Sequence, residues 1–197
     1  GAAMMTETEV EIIFDAASTC ILNNHTLADL QYDVMQEIGP IEFTEEEIAY
    51  AEAVNNNMPA GNQAFVTQMY QIPEENAHLP LVGAVLPTKD ESFILSGSTD
   101  VGDLSWIAPL SMLNTTCWPL NAPAHSWGVV ATGGMSIGHK GMLYAAKVMA
   151  ASAVALYQQP EMLQEVRAEF ESQIDQTPYQ NPLPDECVAP YNPHPLR

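Results

Sequence analysis

Basic residues are what this chain most lacks. Lys and Arg together number 5 against 25 Asp and Glu, a formal net charge of -20 over 197 residues. Charged residues nonetheless make up only 15% of the chain, below the ~25% of an ordinary globular protein. The imbalance therefore comes from missing cations, not from an acidic surplus, which argues against a halophile-type surface. Lys89, Lys140, Lys147, Arg167 and Arg197 include no adjacent pair. Nucleic acid and anionic membrane are poor partners for such a chain, because neutralising phosphates needs clustered Lys and Arg.

Cysteine is scarce as well. Cys20, Cys117 and Cys187 are odd in number and widely spaced, with no CxxC pair. A disulfide framework and a cysteine zinc site are both disfavoured, and reduced, buried thiols are expected. No charged start leads into an apolar signal segment, and no run approaches the ~18 apolar residues of a membrane span. The expected location is the cytoplasm. HExxH is missing too, so a zincin is not supported. The chain opens almost directly into a strand pattern, an abrupt start that would suit a fragment.

What is present fits a single folded unit. A hydrophobic content of 47% in 197 residues is enough to bury a sizeable core. Thr8 to Phe14 alternates, with Val10, Ile12 and Phe14 on one face, and predicts a strand. Leu27, Leu30, Val34 and Ile38 predict a helix over about 26–38, stopped by Gly39-Pro40. Thr44-Glu45-Glu46-Glu47 is a capping box opening a second helix that fades near Asn55. From Asn55 to Pro87 prolines interrupt a polar stretch, read as loop with short regular pieces. Ser92–Leu95, Thr115–Leu120 and Trp127–Thr132 read as short strands. Lys140 to Gln158 is apolar nearly all round and predicts a helix buried on several sides. Pro160 opens a final amphipathic helix carrying Leu163, Val166, Phe170 and Ile174, and the proline-rich tail from Thr177 reads as an extended arm. Strands alternating with helices predict an α/β fold, a layered sheet with packed helices.

The unusual chemistry crowds between Ser98 and Met142. Asp100, Asp103, His125, His139, Trp106 and Trp127 lie there on turn-rich sequence between apolar runs, the way a rigid scaffold carries a site. His125, in a short turn between Pro123 and Trp127, is placed either as a metal ligand or as a hydrogen-bonded structural histidine. Asp100 and Asp103 sit beside Gly and Ser, where an Asp usually caps a turn; orienting a histidine or binding a metal is the rarer alternative. The alternating acids and terminal Glu of a calcium loop are missing. Gly133 to Lys140 imitates a phosphate loop, but His139 takes the lysine position and Gly141 follows where a magnesium-binding Ser or Thr is required. A turn feeding the next helix is the better reading, with backbone amides able to hold an anion. His25, His78 and His194 lie in polar or proline-rich surroundings and are expected to be exposed.

Five segments together resemble the aminoacylase/carboxypeptidase G-type metallopeptidases. They are Gly1 to Glu11, Ser98-Thr99-Asp100-Val101-Gly102-Asp103-Leu104-Ser105-Trp106, His125-Ser126-Trp127, Ser136-Ile137-Gly138-His139-Lys140-Gly141-Met142 running into Ala145-Ala146-Lys147, and Tyr179 to Pro184. The resemblance implies a two-domain zinc-dependent amidohydrolase in which a pair of divalent metals, zinc or manganese, activates water. A lid domain mediates dimerisation in such enzymes. Residues 1–18 would be the last strand and hinge of the lid, and 19–197 the C-terminal segment of the catalytic α/β domain. The segment carrying most metal ligands and the general-base glutamate has no counterpart. The resemblance thus implies no catalytic residue in this chain, one metal ligand in His125, and an active-site loop of Ser98, Thr99, Asp100 and Asp103. His139 and Lys140 match a subfamily signature on the substrate side. The implied substrate is an N-acyl or N-aroyl amino acid amide of the aroyl-glutamate type, such as p-aminobenzoyl-glutamate. The isolated chain is expected to be metal-free and inactive, and to form a homo-oligomer through its first fifteen residues. The rival reading is a non-catalytic module acting in assembly or partner binding.

Overall fold

Asn24 shows how one buried polar side chain organises the start of the fold. In this computed structural model, which describes residues 1–12, 16–59, 61–87, 97, 99–184 and 187, Asn24 is 1% exposed. Its side-chain oxygen accepts from Leu27 N at 2.9 Å, capping helix α2 (His25–Ile38), and its amide donates to Val166 O at 2.9 Å. Glu169 accepts from the next two backbone donors, His25 N at 2.7 Å and Thr26 N at 2.9 Å. The free N–H groups that every helix start presents are thus satisfied by cap and carboxylate together. Val166 and Glu169 belong to helix α9 (Pro160–Gln176), which Pro160 opens at its first turn as expected. Before them, α1 (Ala2–Thr6) is a single exposed turn.

The capping box at Thr44 is formed. Glu47 N donates to Thr44 Oγ1 at 3.2 Å and Thr44 N to Glu47 Oε2 at 2.7 Å, opening α3 (Glu45–Asn56). Two short helices follow, α4 (Asn62–Met69) and α5 (Glu74–Ala77), matching the short regular pieces expected there. Then come α6 (Val101–Ser105), α7 (Trp127–Gly133) and the long α8 (Ser136–Gln158).

α8 is the axis of the fold, packing on α2, α7 and α9. Its buried residues Ile137, Gly141, Tyr144, Val148 and Ser152 recur at helical spacing. Tyr144 and Val148 meet Val34 of α2, while Ile137 meets Ala51 of α3 and Leu81. Val54, Met58 and Ala122 make a third cluster under α7. Gly141 is needed for closeness: a Cβ there would stand 2.5 Å from both Cys117 Sγ and Thr116 O. The opposite face of α8 is open, with Met142, Leu143, Met149, Val154 and Tyr157 each more than half exposed. The expectation of burial on several sides is corrected to burial along one stripe.

The expected α/β layered sheet is corrected more deeply, because no strand occurs among the described residues. Trp127–Thr132 is helix α7, not a strand. A short apolar run does not distinguish the two forms, and here tertiary contact decides. Gly128 lies so close to Met58 and Ala122 that a Cβ would sit 2.6 Å and 3.0 Å from them, while Thr132 Oγ1 bonds back to Gly128 O at 2.9 Å. Thr115–Leu120 runs without a ladder, held by Thr116 Oγ1 on Val82 O and by Leu120 N on Pro80 O at 2.9 Å; Pro119 has no N–H with which to extend pairing. Thr8–Ile12 is irregular, with Val10 and Ile12 exposed. Ile13, Phe14, Ser92–Leu95 and His194 lie outside the described residues. His25 and His78 are exposed, as expected. The three cysteines form no disulfide, but Cys20 is exposed and Cys117 and Cys187 are half-buried, so none is the buried thiol anticipated.

Candidate functional site

The residues singled out by sequence fall into three places, each with its own local logic. Around α6, polar atoms are spent on structure. Asp103 Oδ1 accepts from Thr19 Oγ1 at 2.8 Å and from Tyr179 OH at 3.0 Å. Burial and the neighbouring carboxylate push the Tyr179 phenol above its ordinary pKa. Trp106 donates from Nε1 to Cys20 O at 2.9 Å and tilts against the Tyr179 ring at 6.1 Å between centroids. Ser105, fully buried, accepts from Leu22 N at 2.8 Å and donates to Gly102 O at 2.5 Å. Asp100 occupies the N-cap position of α6 without a side-chain capping bond and is exposed, as is Thr99, whose hydroxyl reaches Asp100 Oδ1 at 3.4 Å. Ser98 lies outside the described residues.

At the opening of α8 the two neighbours His139 and Lys140 part company. Lys140 Nζ lies 2.6 Å from Glu47 Oε2, donates to Glu42 O at 2.8 Å and rests over the Phe43 ring at 5.7 Å. It locks the start of α8 onto the start of α3. Burial opposes ionisation of Glu47, but Lys140, Ser136 and the Thr44 N–H outweigh it and hold the carboxyl down at about 2. His139 is exposed, its backbone N–H bonded to Met135 O at 3.0 Å. The glycine-rich stretch before it is the turn expected there, and a Cβ on Gly138 would meet Gly133 O at 2.5 Å, so α7 and α8 abut.

His125 is the third place. It sits at the tip of the turn before α7 with φ of 62°, in the left-handed region, and is exposed. Below it the turn is fastened. Asn121 N and Nδ2 both donate to Asn55 at 3.1 Å, its Oδ1 accepts from Gln63 N at 2.9 Å, and its carbonyl accepts from Asn62 at 3.1 Å. Ala122 N bonds Pro119 O at 3.0 Å, and Tyr50 OH reaches Ala131 O at 3.2 Å. Beside the histidine opens a groove of about 730 Å³ lined by Trp118, Ala124, His125, Ser126, Trp127, Val129 and Val130. Ser126 Oγ is buried without a hydrogen-bond partner among the described residues. A larger hollow of about 870 Å³ beside α4 holds, among the described residues, none of the expected site residues and no ionisable side chain.

Sequence reasoning chose His125 but missed Trp118 and the Asn121 anchor. The available signal was two tryptophans nine positions apart flanking a turn bounded by Pro119 and Pro123. The described residues do not make a metal centre: no three His, Cys, Asp or Glu are grouped to hold an ion. Among the described residues His125 stands without companion ligands, whereas a zinc site takes about three from protein.

No family model and no solved structure matches the chain. It is 35% identical over 206 aligned positions to a p-aminobenzoyl-glutamate hydrolase subunit from Escherichia coli (strain K12). The match takes in 100% of this chain but 42% of that protein, so the chain spans about two fifths of its relative's length. The resemblance carried by the motifs thus extends over the whole chain, which is similar to that p-aminobenzoyl-glutamate hydrolase polypeptide in a manner consistent with a C-terminal portion of it.

Proposed function

We propose that this chain is the C-terminal part of a metal-dependent amidohydrolase that cleaves N-acyl or N-aroyl amino acid amides, of the aroyl-glutamate type. The observation that carries the reading is whole-chain similarity to a p-aminobenzoyl-glutamate hydrolase polypeptide. The location we propose is the cytoplasm; no helix among the described residues is long and apolar enough to cross a membrane. His125, exposed at a fastened turn, is the residue positioned to contribute one ligand to a divalent metal, zinc or manganese. The remaining ligands and the general base would come from outside this chain. Asp103 and Asp100 shape the loop beside α6, while His139 remains free for the substrate side and Lys140 holds α8 in place.

On this reading the chain by itself does not hydrolyse amides, because one histidine does not hold a catalytic metal. The test is hydrolysis of p-aminobenzoyl-glutamate by the chain alone with added zinc or manganese. No turnover is expected, and robust turnover would overturn the claim. Self-association through the N-terminal arm is proposed as well, because Met4, Met5, Val10 and Ile12 are each more than 70% exposed and large apolar side chains gain by leaving water. Light scattering should give a dimer or larger that is lost when residues 1–15 are removed. A monomer at micromolar concentration, unchanged by that deletion, would contradict it.

A further inference from the structure

We propose that the groove beside His125 seats the flat aromatic acyl group of an N-aroyl amino acid, with Trp118 and Trp127 selecting an aromatic over an aliphatic acyl group. The proposal rests on the hydrolase reading above and deepens it by naming which part of the substrate this chain recognises.

Four observations carry it. Trp118 and Trp127 are 39% and 54% exposed, and neither indole N–H has a hydrogen-bond partner among the described residues. Trp106, in contrast, spends its N–H on Cys20 O and its ring on Tyr179. Buried or bonded is the usual state of so large a side chain, so two unspent indoles beside one groove mark a surface kept for another flat ring. The volume, about 730 Å³, lies in the range of small-molecule sites.

Second, the lining carries almost no charge. Among the described residues His125 is its one ionisable side chain, with no Lys, Arg, Asp or Glu in the lining. An uncharged aromatic ring suits such walls, whereas the carboxylates of the amino acid half find no cation there and must be met elsewhere. Third, the groove is held in shape from beneath. Asn121 ties the turn to Asn55, Asn62 and Gln63, and Gly128 seats α7 directly on Met58 and Ala122. A site held by its supports loses little on binding a rigid ligand. Last is connectivity: in an aroyl amide the ring is bonded directly to the carbonyl carbon that water attacks. A ring seat must therefore lie next to the residue that helps activate the water, and His125 and Trp127 share both a turn and a groove.

The test uses the three tryptophans as reporters. The indole N–H signals of the chain are followed by NMR during titration with p-aminobenzoyl-glutamate, and separately with acetyl-glutamate. Trp118 and Trp127 should shift while Trp106 stays still, and acetyl-glutamate should bind at least tenfold more weakly. Trp127→Ala and Trp118→Ala should each raise Kd about tenfold or more with circular dichroism unchanged, whereas Trp127→Phe should stay within about threefold. No shift, a shift confined to Trp106, or equal binding of both ligands would each overturn the proposal. Failure of the hydrolase reading is seen separately, in turnover by a complete enzyme bearing His125→Ala. Loss of turnover there without a ring-dependent shift here discards the groove and keeps the hydrolase.

Discussion

Two turns carry tryptophan and polar side chains in this molecule, and they have opposite characters. At α6, Asp103, Ser105, Trp106 and Tyr179 use their polar atoms on one another or on residues 19–22. At α7, His125, Trp118 and Trp127 stand over a fastened base with their own groups unspent. In sequence the two stretches look alike, each with Gly or Pro, a Ser, a Trp and an ionisable residue. Whether the polar atoms are already engaged distinguishes a strut from a surface open to a ligand, and only the fold reveals that.

The difference can be broken from the strut side first. Gly102→Ala has the largest expected effect, because a Cβ there runs into Thr19 O, and backbone cannot yield as a flexible side chain can. Urea unfolding should show a loss of about 3 kcal/mol, and a loss under about 1 would mean the two segments are not packed as described. Ser105→Ala comes next. It strands the half-buried Leu22 N–H and should lower stability by about 2 kcal/mol. Asp103→Ala removes two hydrogen bonds from a half-exposed carboxylate, so about 1 kcal/mol is expected. On the groove side Val130→Ala, at a residue 81% exposed, should fall within about 0.5 kcal/mol of the parent. Equal losses on both sides would erase the contrast.

Acid gives a further probe. Glu47 is held at about 2 against an ordinary 4.5. Glu169 is likewise held low: burial opposes its ionisation, but hydrogen bonds from Thr26 and the His25 N–H outweigh that. Both carboxyls are lowered by folding, so their contribution is complete above about 4.5 and fades below it, for Glu47 as pH falls toward about 2. Melting temperature should drop through that window, and Glu47→Gln should flatten the drop. An unchanged acid limb in that variant would contradict the role given to the Lys140 pair.

The helical half of the fold was legible from sequence. Gly39-Pro40, Thr44 to Glu47 and Pro160 carry stop and start signals set by local backbone chemistry. The strand readings at Thr115–Leu120 and Trp127–Thr132 failed because a run of six apolar or β-branched residues has no period long enough to choose between forms. Gly128 against Met58, a contact across about 70 positions of sequence, made the choice for α7. At the site, His125 was legible by residue type and turn context. Trp118 and Asn121 were not: Trp118 meets His125 only across the folded groove, and Asn121 is bonded to Asn55, Asn62 and Gln63. The resemblance put Lys140 on the substrate side; its ion-pair partner Glu47 lies 93 residues away, beyond the reach of any local pattern.

We propose that His125 is kept for chemistry, whereas its counterpart Asp103 is spent on structure. The most direct measurement is kcat/KM for p-aminobenzoyl-glutamate in a complete enzyme carrying His125→Ala, taken beside its melting temperature. The account predicts activity lower by about 100-fold or more with the melting temperature unchanged. Near-normal activity, or activity lost only in step with a lowered melting temperature, would contradict it.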